Sequence, residues 1–269
     1  MEIGVSTASY FNRMQVEDAL LDIGAHGTGL CEVFLNTFSE YRPEFIDLLC
    51  QRVDEAGLRV FSVHPMSTQF EPLLFSLHSR QRGDAWKLFD LVLQAAHKLG
   101  ASHYVLHGPA NLSGAVKNLQ LERIAPIFRE MIALAADYGV TLTLENVSWC
   151  VFSKPEYGVA LREAVGGHSL KFTLDVKQAI RAGSTPLAFI NAVGDDVVNL
   201  HLCDAVTRPD GTFTLTMPGR GTVDFAAVAA ALRLHGYAGP AFIEVYSDMF
   251  ADTSEIYQCL EQMHQLLDG

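Results

Sequence analysis

Eight short apolar segments recur along the chain, each followed by a longer stretch, and this rhythm constrains the fold more than any other feature. The segments are residues 3–6, 30–35, 58–64, 102–107, 140–145, 170–175, 197–202 and 241–246. Each has the length of a buried strand. Most are near-continuous apolar runs rather than strict alternations, the pattern of parallel strands covered on both faces. The stretches between them carry a helical period. Residues 43–56 open on Pro43, set Phe45, Ile46, Leu49 and Val53 on one face and stop at Gly57. Residues 84–99 repeat the device with Leu88, Val92, Ala96 and Leu99 before Gly100, and residues 121–138 with Ile124, Phe128, Met131 and Ala135 before Gly139. Asp252 and Glu255 stand at capping-box spacing at the head of residues 252–267.

Eight alternations in 269 residues, roughly 34 per unit, predict an α/β protein with a (β/α)8 barrel fold, in one domain spanning residues 1–269. The competitor is an open doubly wound sheet, which usually carries a glycine-rich phosphate turn after its first strand. Here that turn is Ser6, Thr7, Ala8, Ser9 and Tyr10, without glycine. No linker, low-complexity tract or charge block divides the chain. The nearest thing to an insertion is the polar loop at residues 204–223. With 49 % apolar residues the chain has the material for a large core, which excludes disorder. Its formal net charge of -12 argues against nucleic acid or an anionic membrane as partner. No apolar stretch approaches the roughly 18–20 residues needed to span a bilayer. The N-terminus shows neither a basic region nor an apolar signal core, and the five cysteines form no CxxC pair. A cytoplasmic protein with inert, buried thiols is therefore expected.

The chemistry is expected at the C-terminal ends of the strands. The third to eighth segments bring His64, His107, Glu145, Asp175, His201 and Glu244. In a barrel these ends converge on one mouth. Three carboxylates crowded there would repel one another and raise their pKa values, and a divalent cation relieves that repulsion. Two Glu, one Asp and one His form a nitrogen and oxygen donor set without thiolate. Such a set suits one Mn²⁺, Zn²⁺, Co²⁺ or Mg²⁺ ion and does not choose among them.

At these residues the chain resembles the xylose isomerase-like barrel superfamily, which holds sugar isomerases, sugar epimerases and apurinic-site endonucleases of the endonuclease IV type. The matching pieces are SVHP (62–65), LHGP (106–109), LTLEN (142–146), FTLDVKQA (172–179), NLHLCD (199–204), GRGTVDF (219–225) and FIEVY (242–246). The resemblance implies that Glu145, Asp175, His201 and Glu244 bind the metal. It also implies that Glu145 and Glu244 act as the acid/base pair of a sugar or sugar phosphate isomerase or epimerase. The alternatives are a keto-sugar or keto-cyclitol dehydratase on the same site, or an endonuclease-like phosphodiesterase. The sixth-strand motif of many members is Asp-x-x-His; here Gln178 replaces the His. The third metal of the nucleases lacks its ligands, since the later histidines are only His235 and His264.

His64 and His107 match second-zinc ligands of the nucleases and, in isomerase-like members, substrate contacts; the substrate role is the one adopted here. Gln178 suits a sugar hydroxyl. Lys177 either holds an anionic group or is a solvated cation at a helix start. Arg220 is expected to clamp a substrate group, whereas Arg208 is a surface residue. The resemblance implies that Glu32 is a buried ion-pair or hydrogen-bond anchor at the barrel floor, and Gly219 and Gly221 are expected to form a turn. Trp149, Phe152, Tyr246 and Phe250 either stack on a sugar or pack. The expected partner is thus a small sugar, and the resemblance implies self-association as dimers or tetramers.

Overall fold

The strand and helix rhythm closes on itself as a ring. The structure, a computed structural model, describes residues 1–110 and 121–268. The strands are β1 (Ile3–Ser6), β2 (Leu30–Leu35), β3 (Arg59–Pro65), β4 (His103–Leu106), β5 (Thr141–Glu145), β6 (Lys171–Asp175), β7 (Val197–Leu202), β8 (Asp204–Thr207), β9 (Phe213–Thr216) and β10 (Ala241–Ile243). Eight of them form a closed barrel in the order β1-β10-β7-β6-β5-β4-β3-β2. Each lies beside its predecessor, and the seam joins β1 to β10 in parallel through Ile3↔Ala241, Gly4↔Phe242 and Val5↔Ile243. All eight expected segments are barrel strands. The last is shorter than expected, so Glu244 stands just past its end, as His107 stands past β4.

The helices are α1 (Val16–Ala25), α2 (Pro43–Ala56), α3 (Glu71–Leu74), α4 (Ser79–Lys98), α5 (Leu121–Asp137), α6 (Pro155–Val165), α7 (Val176–Arg181), α8 (Pro186–Val193), α9 (Phe225–Leu234) and α10 (Ser254–Asp268). Their expected apolar faces lie against the barrel: Ile46, Leu49 and Val53 on α2, and Ile124, Phe128, Met131 and Ala135 on α5, are buried. Gly57 ends α2 in the left-handed region at φ 64°, where a side chain is strained. The start of α4 lies five residues ahead of the expected one, and its buried face turns toward Ala85, Phe89 and Leu93. Among the described residues no helix is long and apolar enough to cross a membrane. The five cysteines are unpaired, and four are buried.

The loop read at residues 204–223 is instead the antiparallel hairpin β8–β9, with Thr207 paired to Phe213. Its turn carries Asp210-Gly211, and Asp210 Oδ1 accepts the Thr212 N–H at 2.9 Å; a DG signal of this kind marks such turns. The returning chain is held by the buried Asp204. Its carboxylate accepts N–H groups from Ala205 (2.7 Å), Gly219 (3.1 Å), Gly221 (2.9 Å) and Val223 (3.0 Å).

The barrel interior is polar at mid-height and aromatic at the floor, where the Phe61 ring stacks on His103 (centroids 4.2 Å apart) and lies 5.8 Å from Phe242. Burial pushes the pKa of His103 from the usual 6.5 down to about 4. The unfolded chain therefore takes up this proton near 6.5, whereas the folded chain resists it to about 4. Stability from this site is complete above pH 6.5 and is lost as pH falls toward 4, by about 3 kcal/mol. Urea unfolding at pH 7 and pH 4.5 is expected to show His103→Phe losing less stability on acidification than the parent. Equal losses would exclude His103 as a contributor.

Candidate active site

Each polar residue of the centre is delivered by a separate strand, so the barrel's closure sets their spacing. His201 on β7 points inward and is fully buried. Its Nδ1 lies 2.9 Å from Glu244 Oε2, 3.5 Å from Glu145 Oε1 and 3.7 Å from Asp175 Oδ2. One donor atom from each of Glu145, Asp175, His201 and Glu244 falls within 4.8 Å of all the others. Donors about 2.1 Å from a shared ion lie roughly 3.0–3.5 Å apart in octahedral or tetrahedral arrangements, so the spacing suits one cation.

The hydrogen bonding points the same way. His201 Nδ1 and Glu244 Oε2 are buried and have no hydrogen-bond partner, whereas Glu145 Oε2 turns toward His107 and leaves Oε1 facing His201. His201 Nδ1 and Glu244 Oε2 are close yet lack the alignment of a hydrogen bond. Buried polar atoms are rarely left so, and a cation is what such converging lone pairs accept. The opposite edge of His201 is anchored: Nε2 meets Glu32 Oε2 at 3.1 Å. Glu32 is the expected buried anchor, in the polar layer at mid-height rather than at the floor. It also accepts Ser6 Oγ (3.0 Å), Ser62 Oγ (2.6 Å) and Asn199 Nδ2 (3.2 Å). A carboxylate behind a ligating imidazole fixes its tautomer and orientation.

Asp175 is the N-cap of α7, its Oδ1 accepting the Gln178 N–H at 2.8 Å. Asn146 clamps its backbone, donating to the Asp175 carbonyl (2.9 Å) and accepting its N–H (2.6 Å). Lys177, one residue into α7, is 3 % exposed, which excludes the solvated reading. Its Nζ donates to Glu244 Oε1 at 2.6 Å and to Asp175 Oδ2.

The titration behaviour follows from this mixture of burial and charge. Burial pushes Glu145 up, but His107 and His201 outweigh it and hold the carboxyl well below its usual range. Burial also pushes Glu244 up, and His201 and Lys177 likewise hold it low. At Asp175 burial prevails over Lys177, and the pKa is raised. Burial lowers the Lys177 pKa, yet Asp175, Glu244 and Glu145 outweigh it and keep the ammonium charged.

His64 and His107 stand beside this centre, their Nε2 atoms 2.8 Å apart. His107 Nε2 is also 2.8 Å from Glu145 Oε2. These two histidines and Glu145 form a second group able to hold an ion. Burial and His107 push His64 down to about 4. Two residues that the motifs did not single out support His107. Ser67 Oγ lies 2.5 Å from its Nδ1, and Glu71, fully buried, accepts its backbone N–H at 2.9 Å and the Tyr104 hydroxyl at 3.0 Å. Burial raises Glu71 to about 7. A lone Glu in a short helix carries no sequence signal of that burial.

These side chains open onto a cavity of about 550 Å³, lined by His64, His107, Glu145, Lys177, Gln178 and Glu244 together with the aromatic residues Phe11, Phe34, Trp149 and Tyr246. Gln178 is steadied by Ser148, whose hydroxyl donates to its Oε1 at 2.9 Å. Of the four aromatic residues noted in the sequence, Trp149 and Tyr246 reach the cavity. Phe152 packs on Phe172 and Phe189, and Phe250 lies under Arg13. Arg220 corrects the expectation: it does not line the cavity. Asp204 draws in the N–H groups of Gly219 and Gly221, which turns Arg220 outward to pair with Glu255 at 2.8 Å. Gly219 and Gly221 thus form the expected turn, and Arg208 is exposed on the hairpin, bonded to Thr214.

A closed eight-stranded parallel barrel whose strand ends gather three carboxylates and an imidazole defines the class. Residues 18–263 match the xylose isomerase-like TIM barrel family, and the chain belongs to it. An uncharacterized protein of Mycobacterium leprae is 32 % identical over 185 residues, covering 61 % of this chain and 62 % of that protein. An uncharacterized protein of Methanocaldococcus jannaschii is 22 % identical over 253 residues, 91 % and 83 % of the two chains. Among solved structures, a D-tagatose 3-epimerase-like protein superposes with a TM-score of 0.80 at 19 % identity, covering 100 % of this chain and 98 % of its own. The IOLI protein with a bound zinc atom gives 0.80 at 18 %, covering 99 % and 98 %. The D-psicose 3-epimerase of Clostridium cellulolyticum H10, crystallised with D-tagatose, gives 0.77 at 18 %, covering 99 % of each.

Proposed function

We propose that the protein is a divalent-metal-dependent isomerase or epimerase of a small sugar. The observation that carries this reading is the convergence of Glu145 Oε1, Asp175 Oδ2 and Glu244 Oε2 on His201 Nδ1, with His201 Nδ1 and Glu244 Oε2 buried and without a hydrogen bond. Glu145, Asp175, His201 and Glu244 would hold the ion. When bound, the ion polarises the oxygens of a hydroxycarbonyl substrate and offsets charge that develops on them. Glu145 and Glu244 flank the same point from different strands. One takes the proton from the carbon beside the carbonyl, the bonding pair moving toward the carbonyl oxygen. The other, after taking a proton from solvent, returns one to the opposite face of that carbon as the pair falls back, or, in an isomerisation, to the former carbonyl carbon while the neighbouring hydroxyl proton passes to the enediolate oxygen; the first glutamate then gives its proton to solvent. Gln178 and His107 line the cavity where sugar hydroxyls would lie, and Trp149 and Tyr246 offer flat faces to the ring. The epimerases among the similar structures support the choice of substrate class.

Solvent isotope exchange tests the proposal. Incubated with Mn²⁺ and a panel of ketoses and ketose phosphates in deuterated water, the protein is expected to wash deuterium into the carbon next to the carbonyl, read by mass spectrometry. Absence of exchange across the panel rejects the proposal. A second reading, a two-ion phosphodiesterase, is favoured by one observation: the approach of His64 and His107 to Glu145. It requires two or more zinc ions per chain and hydrolysis of a phosphodiester, whereas the leading reading requires one ion and no hydrolysis.

A further inference from the structure

We propose that Lys177 is a specificity-determining residue of the centre, a fixed positive charge that sets which cation the carboxylates accept and how many oxygens they offer it. This inference rests on the metal-dependent reading above. The ammonium takes Glu244 Oε1 at 2.6 Å and leaves Oε2 facing His201. Asp175 has Oδ1 on the Gln178 N–H and Oδ2 on Lys177. Neither carboxylate is therefore free to turn both oxygens inward: Glu244 keeps Oε2 for the ion, and Asp175 offers only Oδ2, which it shares with Lys177. The position of Lys177 is not incidental. It is anchored by the N-cap that Asp175 makes for α7, and it lies within the mouth cavity.

The charge has a direct consequence. Glu145, Asp175 and Glu244 attract a cation in proportion to its charge, and a lysine ammonium beside them repels it in the same proportion. Lys177 thus weakens a trivalent ion more than a divalent one. A buried ion pair that served only to hold α7 against β10 would affect both ions alike.

The test compares affinity for two ions on the full-length protein: Tb³⁺ by sensitised luminescence and Mn²⁺ by the electron paramagnetic resonance of the free ion. In Lys177→Met the ratio of Tb³⁺ to Mn²⁺ affinity is expected to rise at least about tenfold. Lys177→Arg, which keeps the charge, is expected to leave the ratio near the parent's. Lys177→Gln keeps a hydrogen-bonding head without the charge and is expected to follow Met, so it gives the same reading if the Met variant does not fold. An unchanged ratio in the neutral variants overturns the inference and leaves the metal centre standing. An Arg variant that shifts with the neutral ones overturns it as well. A parent protein that binds neither ion removes the centre and this inference together.

Discussion

Glu244→Gln is expected to keep the barrel and lose turnover by about a thousandfold or more in the isotope-exchange assay. The substitution preserves size and leaves an oxygen to face His201, but an amide neither accepts a proton from carbon nor returns one. Glu145→Gln is expected to do the same, because the reaction needs both groups. The far-UV circular dichroism spectrum should match the parent's, and the melting midpoint of the Mn²⁺-loaded variant should stay within about 5 °C. Exchange that survives at a tenth of the parental rate or more in either variant would sink the two-glutamate proposal. A loss shared with collapse of the spectrum would instead assign that residue a structural part.

Glu32→Leu carries the second large effect, and it acts from behind the centre. Four polar groups converge on the Glu32 carboxylate, from Ser6, Ser62, Asn199 and His201. An apolar side chain leaves them unpaired in the barrel interior, at a cost of about 3–5 kcal/mol. His201 also loses the partner that orients its ring, which lowers metal affinity by about 10- to 100-fold. Glu32→Gln retains an acceptor oxygen and is expected to lie between parent and Leu on both measures. Calorimetry gives the stability, and a Mn²⁺ titration gives the affinity. Parental metal affinity in a folded Glu32→Leu protein would show that His201 needs no anchor.

The eight strands and the ends that carry His64, His107, Glu145, Asp175, His201 and Glu244 were legible in the sequence because a parallel strand buried on both faces writes itself as a short apolar run. A polar residue that breaks the end of such a run stands out. Glu32 was legible only through the family resemblance. Other features depend on contacts that no local pattern encodes. Lys177 reads identically in sequence whether its ammonium faces solvent or two carboxylates. Glu71 lies outside any apolar run, in a helix of four residues, and reaches His107 only through the fold. Arg220 was misplaced because its loop is organised by Asp204, sixteen residues upstream, rather than by its own neighbours. The hairpin β8–β9 had its DG turn in plain view, but its strands are short and half-exposed, without the apolar run that marked the others.

The seam between β1 and β10 has a consequence for biosynthesis. Glu244 follows the last barrel strand to leave the ribosome, and that strand must find the first one made, Ile3 beside Ala241. A nascent chain halted before residue 241 owns three of the four donors but no closed ring to hold them at their distances. On the metal-binding proposal, high-affinity ion capture would therefore be a late event, one that certifies that the first and last barrel strands have met.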